Sequence, residues 1–157
     1  MAILKIYIDT SVIGGCFDPD FAPWSNGLME DLKQGRFRPL VSDLVTIEIE
    51  RAPQEVKEKY AEILKCGADI LTITEETLDL VAAYRRHKIL EGNFENDRTH
   101  IALATIYKAD ILVSWNFKHI VHFDKIRMFN LVNQKMGYKI ISIHSPREVT
   151  RYEKEED

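Results

Sequence analysis

The sequence predicts an α/β fold with a parallel sheet and helices on both of its faces. Three observations predict it. Short apolar, β-branched runs alternate with longer stretches of helical period. The runs KIYI and DILV are nearly continuous in hydrophobicity rather than alternating, as strands buried on both faces require. Polar residues also stand where the runs stop: Asp9 after the first, Ser42 and Asp43 after the second, Ser114 and Asn116 after ILV. In an open parallel sheet these carboxyl ends share one rim, which is where ligands bind.

Taken in order, residues 3–8 form the first strand, and Gly14 and Gly15 are expected to punctuate a loop behind it. A helix over 24–34 ends at Gly35, and a strand follows at 38–41. Ser42 is placed to cap a helix carrying Leu44, Val45, Ile47, Glu48 and Ile49. Pro53 opens another helix, where Val56, Tyr60, Ile63 and Leu64 form one apolar stripe before Gly67 ends it. Residues 70–73 read as a strand. Thr74 caps a helix with Glu75, Glu76 and Asp79 at its start and Arg85, Arg86, His87 and Lys88 at its end, the order the helix dipole favours. EGNFEN is expected as a loop, with Asn96 capping a helix over 97–108. Strand 111–113, helix 124–136 and strand 138–143 complete the fold, and RYEKEED reads as a solvated tail.

The bulk numbers exclude several classes. A chain of 157 residues with 45% hydrophobic and 29% charged residues builds one domain with a full core. A net charge of -4 argues against a protein coated in nucleic acid but permits a local basic patch. Cys16 and Cys66 form no C-x-x-C pair, which suggests a reducing compartment, and we expect a cytoplasmic protein. No apolar run approaches the roughly 18 residues of a spanning helix, so no membrane association is expected.

The chemical candidates are Asp9, Glu48 and Asp97, with Asn116 as a fourth member. Two carboxylates about 4 Å apart repel by roughly 4 kcal/mol at an effective dielectric of 20, so three together need a cation or must take up protons. An all-oxygen set selects Mg²⁺ or Mn²⁺. Each acid also has a plainer role: Asp9 as a turn cap with Thr10 and Ser11, Glu48 on a solvated face with Glu50 and Asp43 as rivals, Asp97 as a first-turn acid. His119 with His122, and Asp97 with His100, are spaced at i, i+3 but lack a third zinc ligand, and the histidines are read as polar or nucleic-acid-facing. The basic run at 85–88 reads as a solvated helix end, with phosphate contact as its alternative.

IDTSV, the acid in LVTIEIE, NDRTHIALA and DILVSWNFKHI, in that order, resemble a PIN-domain protein over nearly the whole chain. The resemblance implies a three-layer α/β/α sandwich, with residues 1–146 as the PIN-like domain and 147–157 as a charged C-terminal tail. It implies a ribonuclease that depends on Mg²⁺ or Mn²⁺. Asp9, Glu48 and Asp97 match the acids that hold the metal, Thr10, Ser11 and Ser114 support them, and Asn116 stands where many members have Asp. Many small members are toxins silenced by an antitoxin and commonly dimerise, so RNA, a small antitoxin protein and a second copy of the chain are the expected partners. Two readings compete with the nuclease. A phosphotransferase with Asp9 as nucleophile would want an acid where Ser11 stands, and a PIN-like RNA-binding or interaction module with a weak or inactive pocket is favoured by Asn116.

Overall fold

The computed structural model describes residues 2–151. Five parallel strands form one sheet in the order β3-β2-β1-β4-β5: β1 (Leu4–Ile8), β2 (Phe37–Ser42), β3 (Asp69–Leu71), β4 (Ile111–Val113) and β5 (Ser142–His144). The chain runs outward from β1 through β2 to β3, then returns to the other side of β1 for β4 and β5. The order therefore reverses between β1 and β4, the crevice where open α/β sheets bind ligands. Ile6, Tyr7, Ile8, Leu112 and Val113 are fully buried, as the continuous hydrophobic runs predicted. Register does the rest: Ile8 pairs with Val113, so Asp9 and Ser114 leave the sheet side by side.

The helices are α1 (Thr10–Gly15), α2 (Ala22–Lys33), α3 (Asp43–Ile49), α4 (Gln54–Lys65), α5 (Glu75–Arg86), α6 (Glu95–Ile106), α7 (Phe123–Lys135) and α8 (Pro146–Val149). Ser42 caps α3 by accepting the Val45 N–H, and Thr74 caps α5 through a reciprocal box with Thr77. The stripe on α4 packs as expected, with Val56, Tyr60 and Ile63 buried.

Several expectations need correction. Gly14 and Gly15 belong to a helix, because Val12 and Ile13 must bury against the sheet and Gly15 lets α1 approach α2 closely. A Cβ on Gly15 would lie 2.7 Å from both Ser25 Oγ and Trp115 Nε1, atoms already hydrogen-bonded to each other at 2.8 Å. Gly15→Ala is therefore expected to destabilise the protein by about 1–3 kcal/mol in urea unfolding, the usual cost of overpacking. A midpoint unchanged from wild type would show that the contact relaxes freely.

The strand expected at 138–143 is only Ser142–His144, because the side chain of Asn130 claims both backbone groups of Ile141. Likewise the strand expected at 70–73 is Asp69–Leu71, and the Ile73 N–H bonds instead to the Asp43 carboxylate at 3.1 Å. α6 begins two residues before its expected start, with Phe94 and not Asn96 at the N-cap. The boundary expected at 146 cuts through α8, which packs on α2, and the Thr150 hydroxyl donates to Asp31 at 2.9 Å. Of the expected tail, residues 152–157 lie outside the described residues.

The loop entering α6 has a support that hydropathy does not reveal. Lys88, Leu90 and Gly92 all have left-handed backbones, with φ of 58°, 60° and 106°. The buried guanidinium of Arg98 donates to the carbonyls of Ile89, Leu90 and Gly92, gathering the loop around one cation. That clip sets the position of residues 93–97.

Candidate active site

At the switch point Asp9 is 5% exposed, a cost that requires partners. Its Oδ2 accepts from Ser11 Oγ at 2.8 Å and Ser114 Oγ at 2.6 Å, which leaves Oδ1 turned toward His100 Nε2 at 3.3 Å. Ser11 Oγ in turn accepts the Trp115 N–H, and Ser114 Oγ accepts the Asn116 N–H, so the strand ends brace the carboxylate.

Glu48 reaches the same point from α3. Its Oε1 accepts from Thr10 Oγ1 at 2.7 Å and meets His100 Nε2 at 2.8 Å, while its Oε2 takes a 3.4 Å contact from Asn96. The expected rivals go elsewhere: Glu50 is exposed, and Asp43 is occupied with Ile73. Thr10, Ser11 and Ser114 thus all touch the expected acids.

Asp97 sits beside this group rather than within it. Its carboxylate accepts from Asn116 Nδ2 at 3.3 Å and from His119 Nδ1 at 2.9 Å. Among the described residues, the set of acids and histidines whose ligand atoms all lie within 4.8 Å of one another is Asp9, Glu48 and His100. An imidazole, which the all-oxygen set expected from the sequence did not include, occupies the space between two of the three acids.

His100 was missed because a lone i, i+3 spacing to Asp97 is weak evidence, although it places both side chains on one face of α6. Its second nitrogen, Nδ1, lies 2.7 Å from the hydroxyl of Tyr7, which also meets Ser42 Oγ at 2.8 Å. Tyr7 is wholly enclosed, and burial holds its phenol well above the ordinary tyrosine value. A neutral phenol thus links the α3 cap to the imidazole.

The electrostatics follow from this contact. Burial disfavours a charged His100, but the Asp9 charge, the Glu48 hydrogen bond and charge, and the Asp97 charge outweigh it and raise the ring above its ordinary 6.5. Burial likewise works against the Glu48 anion, but the hydrogen bond and charge of His100, with Thr10 and Asn96, prevail and lower its value from 4.5. Stability from the raised His100 is full below about 6.5 and is lost as pH rises through the folded value; that from the lowered Glu48 is present above about 4.5 and lost as pH falls. In EDTA, urea midpoints should therefore owe most to this pair between about pH 4.5 and 6.5 and decline on the alkaline side. The same alkaline slope in His100→Gln would disprove that origin.

Carboxylate oxygens at the mouth of the crevice suit a hard divalent cation. Asp9 Oδ1 and Glu48 Oε2 are the atoms least committed to internal donors, and Asp97 adjoins them. These donors fit a divalent cation.

A profile of the PIN domain family matches residues 6–127. Solved structures share the fold, among them those of VapBC2 and FitAcB. VapBC2 from Rickettsia felis, bound to a DNA fragment from its promoter, is 12% identical, with 90% of this chain and 98% of that chain covered at a TM-score of 0.56. FitAcB from Neisseria gonorrhoeae is 15% identical, with 92% and 99% covered at a TM-score of 0.59. No curated protein matches the sequence.

Proposed function

The chain belongs to the PIN domain family, whose members are generally nucleases, and on that premise we propose that it is a metal-dependent endoribonuclease. The observation that carries the reading is the convergence of Asp9 and Glu48 at the switch point, with Asp97 beside them. In this reading Asp9 and Asp97 hold Mg²⁺ or Mn²⁺, and Glu48 holds the ion or orients the attacking water. Bound there, the cation supplies Lewis acidity that makes water a nucleophile near neutral pH and screens charge on the phosphate.

The protein's own part is positioning. Ser11 and Ser114 fix one oxygen of Asp9 and leave the other facing His100, Thr10 fixes Glu48, and Asn116 and His119 hold Asp97 in place. Water attacks phosphorus, the bond to the leaving oxygen breaks, and no covalent enzyme intermediate forms. Asn116 in place of an acid favours one tightly held ion.

These two structural neighbours are toxin–antitoxin PIN proteins, which supports a toxin silenced by a small antitoxin protein; we propose that it acts as a homodimer. The unbridged Cys16 and Cys66 support a cytoplasmic setting, and no helix among the described residues is long and apolar enough to cross a membrane. One observation favours the second reading, an RNA-binding or interaction module: the His100 ring already stands between Asp9 and Glu48, within 3.3 Å and 2.8 Å of their oxygens.

The test is incubation of pure protein with structured and unpaired RNAs in Mg²⁺, Mn²⁺ or EDTA. Cleavage should require the metal, and metal at about 100 times its Kd should add about 2.7 kcal/mol of stability, or about 5–10 °C in Tm. Melting curves identical in EDTA and excess metal, with every RNA intact, would leave the module reading standing.

A further inference from the structure

Beside Asp97 the entry to α6 borders an open pocket of about 220 Å³ lined by Asn93, Phe94, Glu95, Asn96 and Asp97. We propose that it receives one unpaired nucleobase of the strand being cut, an inference that rests on the ribonuclease reading above. Its wall has an aromatic face in a fixed place. The Phe94 ring packs on His119 with centroids 4.1 Å apart, and His119 is bonded to Asp97 at 2.9 Å. Behind it, the Arg98 clip holds Ile89, Leu90 and Gly92, so the ring is placed before any ligand arrives. Preorganisation of this kind lowers the cost of binding.

The lining decides what fits. It contains no lysine or arginine, and two of its five residues are acids, so a phosphate would be repelled. Its amides and carboxylates instead offer acceptors for N–H groups around the edge of a flat neutral ring. Asn93 is exposed, and its amide has no hydrogen-bond partner among the described residues. An aromatic face with polar groups at its edge is the chemistry that recognises an unpaired base. Adenine, cytosine and guanine carry an exocyclic amino group for those acceptors and uracil does not, so uridine ranks last. Position assigns the base to a nucleotide next to the scissile phosphate, because Asp97 belongs to this wall and sits beside the Asp9, Glu48 and His100 group.

The experiment measures binding of labelled oligoadenylate, oligouridylate and an RNA duplex to the full chain in EDTA, then cleavage of the same RNAs with Mn²⁺. Wild type should prefer oligoadenylate, Phe94→Ala should bind it about tenfold more weakly, the scale of one base–aromatic contact, and Phe94→Trp should restore it. Equal affinity of wild type for all three RNAs, or unchanged affinity in a folded Phe94→Ala, overturns the subsite. Should Phe94→Ala fail to fold, Asn93→Ala decides: a reduced adenylate-over-uridylate ratio supports the proposal, and an unchanged ratio overturns it. Cleavage scores the parent reading separately. RNA cut by wild type with no effect of Phe94 on binding removes the subsite alone, whereas Phe94-dependent binding of RNA that is never cut removes the nuclease alone.

Discussion

Asp9→Asn is expected to reduce metal-dependent RNA cleavage by at least about 100-fold while the fold survives. The lower bound comes from partners that merely orient metal ligands, whose loss costs about 10–100-fold, so a direct ligand should cost more. Survival follows from the surroundings: Asn keeps the shape of Asp9, and the hydroxyls of Ser11 and Ser114 rotate to suit an amide. The variant should also lose most of the metal-dependent rise in Tm. Asp97→Asn should abolish cleavage too, since a unit of charge disappears from the neighbouring ligand at almost no cost in size. The companion Asn116→Asp puts a carboxylate where a 3.3 Å amide contact to Asp97 now stands. It should tighten Mn²⁺ binding and lower stability in EDTA, because two acids facing each other need the cation that one acid and an amide do not. Equal cleavage by wild type, Asp9→Asn and Asp97→Asn would end the nuclease assignment.

The parts of this molecule that were legible in the sequence are those with a period or a punctuation mark. The hydrophobic runs of β1 and β4, the Ser42 and Thr74 caps and the α4 stripe each carry a local physical signal, and the structure bears each out. Asp9 could be placed at a strand end for the same reason. What was illegible depends on partners distant in sequence. β3 and β5 are short because Asp43 and Asn130 capture the neighbouring backbone groups, which no window around residues 70 or 140 contains. Nothing near Gly15 announces that Trp115 and Ser25 lie against it. The site shows the same division. The three acids are candidates by type and position alone, whereas His100 becomes visible only when Tyr7, 93 residues away, and Glu48, 52 residues away, close around its two nitrogens.

His100→Leu should therefore be the most destabilising single change at the site, by about 3 kcal/mol in urea unfolding with EDTA present. Removing one member of a buried charged pair costs about 3–5 kcal/mol, because the partner's charge is left uncompensated. The low end applies here, since the side chain of Glu48 is 28% exposed and can regain water, whereas that of Asp9, at 8%, cannot do so without rearrangement. Tyr7 loses one of its two contacts but keeps Ser42, so its share is small. For a chain of 157 residues the loss amounts to about 6–12 °C in Tm. Added Mg²⁺ separates this electrostatic cause from simple misfit of the leucine. If the imidazolium serves as the internal counter-ion of Asp9 and Glu48, a divalent cation should restore more stability to His100→Leu than it adds to wild type, because the variant has no competing cation to displace. Equal metal-induced shifts in the two proteins would show that packing, and not charge, is what His100 contributes.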